Sequence, residues 1–92
     1  MQFPQWVLKT RGKKNQASAR LRYILVALAL QLNQRASLRG VSKFAGCDHS
    51  TLSYYVKQGA FSENMALQLE KKFGADVVRH EWLTDPLSIA TQ

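Results

Sequence analysis

Two glycines, Gly46 and Gly59, bracket the segment that most restricts how this chain can fold, AGCDHSTLSYYVKQG. A glycine readily takes the left-handed backbone that ends a helix, so the pair confines any helix between them to about ten residues. Asp48 is a candidate N-cap, and the spacing predicts a helix over His49–Gln58. The same punctuation continues on both sides. Ser37 is placed to cap a short helix over Leu38–Ala45 that stops at Gly46. Ser62 is placed to cap a helix over Glu63–Phe73, with Glu63 at its positive start, Lys71 and Lys72 at its negative end, and Gly74 closing it.

Upstream, residues 17–34 carry Leu21, Ile24, Leu25, Leu28 and Leu32 on one face at the helical period. Tyr23, Val26, Ala27 and Leu30 form a second apolar face, so this helix needs cover on more than one side, from residues 3–8 or from another copy of the chain. Residues 1–8 are too apolar for a free tail and read as a strand or a single turn from Pro4. Residues 9–18 read as a polar, basic loop or arm. Residues 77–83 read as one more helical turn or an extended arm, and Asp85-Pro86 as the end of ordered structure. The expected fold is all-α, about five short helices, with a basic extension over 1–16, one domain over 17–86 and a tail over 87–92.

A chain of 92 residues suits one small domain. Its net charge of +7 is unevenly spread: the first 47 residues hold nine bases and no acid, whereas the rest hold six acids against four bases. A one-sided positive field of this kind attracts a polyanion, and nucleic acid is the first candidate. Cys47 is the single cysteine, which excludes an internal disulfide; with two scattered histidines it makes no zinc site, and it reads as a small filler at a turn. This usage suits a reducing, cytoplasmic compartment. The apolar run ILVALALQL is too short to span a bilayer, and no small-residue cleavage site follows it. No nucleophile–base–orienter set and no phosphate-cradling glycine loop is present, so the chain does not read as an enzyme, and no cofactor or metal is expected.

Two short helices joined by a tight glycine turn define a helix-turn-helix. The motif needs a small residue where the helices cross, and Ser42, four before Gly46, meets that need. Val41 and Ala45 face inward from the first helix, and Leu52, Tyr55 and Val56 from the second. The opposite face then presents Ser50, Ser53, Tyr54 and Lys57, with His49 and Thr51 at its N-terminal end. In this motif the second helix lies in the major groove, so these six are the candidate base contacts. Ser50, Thr51 and Ser53 can bond any base edge, and His49 a guanine. Tyr54 can meet a thymine methyl or a phosphate, and Lys57 a guanine edge or a phosphate. Arg39 and Lys43 are candidate contacts to the DNA backbone. Lys9, Arg11, Lys13 and Lys14 form either a second backbone-contacting arm or a solvated basic loop. Arg20 and Arg22 stand apart, Arg20 as a candidate for a salt bridge within the fold.

Residues 37–86 resemble the YdaS-type Cro-like regulators of prophages, on the spacing of GCDHSTLSYYVKQG and on the block FSENMALQLEKKFGADVVRHEW. The matching positions in that block are Ala66-Leu67, Leu69-Glu70-Lys71, Gly74, Val77 and Arg79-His80. Phe61-Ser62 stands where the family has Ile-Pro, Ala75 where it has a second glycine, and Trp82 where it has leucine. The resemblance implies a five-helix Cro/repressor-type domain that binds operator DNA, often as a dimer, at a prophage or toxin–antitoxin locus. It also implies a structural set of Glu70, Arg79 and His80, with Arg79 bridging Glu70 or Asp76. The expected function is therefore a sequence-specific transcription regulator, a repressor binding a two-fold operator in double-stranded DNA as a homodimer. Two alternatives stand beside it. One is a non-specific DNA-binding protein. The other is an antitoxin-type protein that docks a toxin or other partner through residues 3–8 and the second face of the long helix.

Overall fold

The computed structural model describes residues 1–32 and 38–90, and every regular element among them is helical. Six α-helices follow in order: α1 (Gln5–Leu8), α2 (Lys13–Gln31), α3 (Leu38–Ala45), α4 (His49–Gln58), α5 (Glu63–Phe73) and α6 (His80–Thr84). A 3₁₀ turn over Pro86–Ser88 ends the series. The chain is thus all-α, as its helical periodicity and glycine stops predict. No helix of the described residues is long and apolar enough to cross a membrane.

α2 is the axis of the fold. α1, α3, α4 and the 3₁₀ turn all pack on it, while α5 and α6 pair with each other and α5 also touches α3. The reason lies in the spacing of its apolar residues: Leu21, Ile24, Leu25 and Leu28 fall on one side and are buried. They meet Val41 of α3, Leu52 and Val56 of α4, and Leu69, Val78 and Leu83 from the C-terminal half in one core. Of the second face, Tyr23 is half-buried in a T-shaped contact with the Phe3 ring, centroids 5.6 Å apart, whereas Leu30 stays 58% exposed.

Several boundaries differ from the sequence-based expectation. α2 begins at Lys13 rather than Ala17, so Lys13 and Lys14 lie in the first turn of a helix and not on an arm. Of the two readings of residues 1–8, the single turn from Pro4 is the one formed. α1 is a single helical turn, and Phe3 and Val7 join the core. Asp48 occupies the N-cap of α4 with extended backbone, yet its side chain makes no capping bond. Ser62 does cap α5, its Oγ accepting from Met65 N–H at 3.3 Å. The proposed cap Ser37 lies outside the described residues.

Order also continues past Asp85-Pro86. Pro86 and Ile89 are buried, and Arg20 reaches their backbone from α2: its Nη1 donates to the carbonyl oxygens of Pro86 at 3.0 Å and Ile89 at 3.3 Å. The guanidinium of Arg20 also lies over the Phe3 ring, 5.0 Å from its centroid. Arg20 is thus a structural residue, through carbonyls and an aromatic face rather than a salt bridge. Its site draws together residues from both ends of the chain.

Candidate functional site

α3 and α4 are joined by three residues, Gly46, Cys47 and Asp48. Gly46 takes φ +73°, and its N–H and that of Cys47 both donate to the Ser42 carbonyl, at 2.9 and 3.1 Å. These two bonds satisfy the end of α3 and turn the chain sharply into α4. Ser42 is 7% exposed and donates its hydroxyl to the Arg39 carbonyl at 2.8 Å, which removes the cost of burying it. Cys47 is half-buried against the core, and burial, then the nearby Asp48, pushes its thiol above the ordinary value. The shift disfavours the thiolate and suits a side chain that fills space at the turn.

The orientation of α4 follows from two fully buried side chains, Leu52 and Val56. Tyr55 is half-buried, stacked on Phe61 with centroids 5.1 Å apart. The other side of the helix is therefore turned outward. His49, Ser50, Tyr54 and Lys57 are exposed, Tyr54 at 57%, while Thr51 and Ser53 are half-buried at the margins. The outward face thus holds one imidazole, hydroxyls, a phenol and an ammonium, and no acid. Gln58 belongs to this face as well, exposed one turn beyond Tyr54. Its position next to the Gly59 stop hid it, although the spacing from Tyr54 could have pointed to it.

The candidate contacts to the DNA backbone fall into two groups. Arg39 and Lys43 lie one turn apart on α3 and are exposed, because Leu38 and Val41 take the inward side. Lys9 and Arg11 lie in the connection before α2, and Lys13 and Lys14 in its first turn, all exposed. Of the second group, Lys14 adjoins the C-terminal end of α4. A β-carbon added at Gly59 would lie 3.3 Å from the Ala17 β-carbon and 3.4 Å from the Lys14 carbonyl oxygen.

Away from α4, Glu70 accepts from the backbone N–H of His80 at 2.7 Å and lies 2.8 Å from its Nδ1. Those hydrogen bonds hold the Glu70 carboxyl below its usual range, and the bond to Glu70 raises His80. His80 thus takes Glu70, one of the two partners expected for Arg79, and Arg79 is exposed and makes no ion pair with Glu70 or Asp76. Glu81 lies on the far side of the same ring, 3.4 Å from Nε2, so Glu70, His80 and Glu81 bring acid and imidazole ligand atoms together. The Glu70 oxygen that faces His80 is already committed to the start of α6. A separate shallow apolar groove of about 190 Å³, lined by Tyr23, Ala27, Val77 and Trp82 among others, runs between α2 and the approach to α6.

No protein-family model, no curated protein and no solved structure matches this chain.

Proposed function

We propose that the chain is a DNA-binding transcription regulator of the helix-turn-helix type, in which α4 enters the major groove and α3 crosses the phosphates above it. The reading makes it a Cro-like repressor of the YdaS type, cytoplasmic, binding a two-fold operator as a homodimer. The observation that carries it is the α4 face. A ten-residue helix held by Leu52 and Val56 turns His49, Ser50, Tyr54, Lys57 and Gln58 to solvent, in a chain whose first 47 residues contain no acid. Free polar side chains on a rigidly held helix are what base edges require.

Within this reading the hydroxyls of Ser50, Thr51 and Ser53 bond base edges permissively, and His49 favours guanine. Gln58 adds an amide able to pair with adenine through both its groups. Arg39, Lys43 and the cations before and within the first turn of α2 hold the phosphates and set the register without reading sequence. No side chain is assigned a catalytic role.

A second reading has one observation in its favour. The groove beside Tyr23 and Trp82, with Leu30 exposed on the same helix, offers an apolar surface to a protein partner such as a toxin. Footprinting on the DNA flanking the protein's own gene decides between them. Protection of two half-sites about one helical turn apart supports the operator reading and the dimer. Uniform protection leaves a non-specific DNA-binding protein, and no binding to any duplex leaves the partner-docking protein.

A further inference from the structure

The basic stretch before α2 is held in place by one half-buried amide. Gln16 Nε2 donates to the carbonyls of Val7 at 2.9 Å and Thr10 at 2.8 Å, and its Oε1 accepts from Arg20 Nε at 2.9 Å. Both donors of the amide are thereby used on the loop, and its acceptor on the arginine that anchors Pro86 and Ile89. The loop has further ties of its own. Thr10 Oγ1 donates to the Trp6 carbonyl at 2.8 Å, Lys9 N–H to the Gln5 carbonyl at 2.9 Å, and Gln16 N–H to the Gly12 carbonyl at 2.8 Å.

What is held this way is a set of like charges. Lys9, Arg11, Lys13 and Lys14 fall within six residues, all are exposed, and among the described residues none makes an ion pair. Four exposed cations this near in sequence repel one another weakly across water, and nothing in their own interaction would hold the loop in one place. Here the backbone is fastened instead, beside the C-terminal end of α4, where the Lys14 carbonyl and Ala17 abut Gly59 and where Lys57 is exposed two residues earlier. A fixed group of unpaired cations fits a fixed row of anions, and a duplex presents such a row along each edge of its major groove.

We infer that the loop and first turn carrying Lys9, Arg11, Lys13 and Lys14 form a rigid phosphate-binding footing at the C-terminal end of α4, and that Gln16 is its positioning residue. The inference rests on the DNA reading of α4 and on the phosphate role already given to these cations, and adds to it their fixed placement and the side chain that fixes it. Gln16 touches no DNA in this scheme. It acts by keeping the cations at a set distance from the helix that reads the bases.

The test compares the full chain with Gln16→Leu, with Thr10→Val, and with Lys13→Gln combined with Lys14→Gln. Each protein is titrated onto its flanking DNA and onto a random duplex from 50 to 200 mM NaCl, with circular dichroism to establish folding. Each lost phosphate contact makes the log–log salt slope shallower by about 0.9. Gln16→Leu is expected to flatten the slope by about 1 to 2 and to weaken both duplexes by the same factor, about tenfold at the lowest salt. A disturbance of α4 itself would instead hurt the flanking DNA more than the random duplex. The lysine pair is expected to give the same flattening without touching the interior, and Thr10→Val a smaller change in the same direction that stands in if Gln16→Leu does not fold. Wild-type slope and affinity in the lysine pair overturn the footing. A flattened slope in the lysine pair with no change in Gln16→Leu or Thr10→Val overturns the role of Gln16. Failure of the unaltered chain to bind either duplex defeats the DNA reading, a different result from both.

Discussion

Gly59 ends α4 directly against Ala17 of α2, so closely that a β-carbon at Gly59 would sit 3.3 Å from that of Ala17 and 3.4 Å from the Lys14 carbonyl oxygen. Its φ of +82° adds a second demand for glycine. Gly46 has the same left-handed backbone, at φ +73°, but open space where a side chain would go. The two glycines therefore separate backbone strain from crowding. Gly46→Ala is expected to destabilise the fold by about 1 kcal/mol, and Gly59→Ala by about 2 kcal/mol or more. Urea melts of both variants measure the difference, and equal costs would mean that the α2–α4 seam yields freely.

Leu52 is fully buried where α4 meets the core, and its removal leaves a hole lined by residues from α2 and α3. Leu52→Ala is expected to cost about 2–5 kcal/mol of stability, the range for a buried leucine whose surroundings relax only in part. The check is the urea midpoint at unchanged slope. A DNA-binding loss in this variant at temperatures where it remains folded would show that the tilt of α4 depends on the leucine as well.

How far the sequence foretold this arrangement depended on whether the cause was local. α3, α4 and α5 were legible because Gly46, Gly59 and Gly74 stop helices by their own backbone freedom, and Ser62 caps one with its own hydroxyl. The outward side of α4 was legible for the same reason, since burying Leu52 and Val56 leaves His49, Ser50, Tyr54 and Lys57 no other direction. The start of α2 was not. Its KKNQ opening has no apolar period, and it is helical because Ala17 docks at Gly59 and Gln16 ties it to the preceding loop. Pro86 and Ile89 were illegible too, being held by an arginine 66 and 69 positions away that leaves no mark on the local sequence. Thr51 and Ser53 fall at the margin of the face, where periodicity alone cannot separate half-buried from exposed.

Glu70 and His80 give the fold a pH window with two edges. The raised His80 contributes stability that is complete below the ordinary imidazole value and is lost as pH climbs through its higher folded value. The lowered Glu70 contributes stability that is complete above the ordinary carboxylate value and is lost as pH drops through its lower folded value. Both contributions are present together between about pH 4.5 and 6.5. Thermal midpoints taken from pH 3 to 9 should therefore show a plateau there. Glu70→Gln, which keeps an oxygen for the His80 N–H but removes the charge, should flatten both edges. An unchanged profile would show that the pair does not govern the seam between α5 and α6.

The DNA reading makes its sharpest demand on the hydroxyls of α4. Ser50 is exposed and Ser53 half-buried one turn on, so alanine at both removes candidate base contacts while leaving Leu52 and Val56 in the core. The double variant is expected to lose about 1–3 kcal/mol of binding on the flanking operator and much less on random DNA. Lys43→Ala, on the exposed side of α3, should weaken both by a similar factor, because a phosphate contact carries no sequence information. Gln58→Ala extends the comparison to the last turn of the helix, where a loss confined to the operator would add an adenine-reading position. Competition titrations with the two duplexes at one salt concentration give all these ratios. Should the serine pair leave the operator-to-random ratio unchanged, the bases are read by another face, and α4 serves only to hold the basic side of the molecule against the duplex.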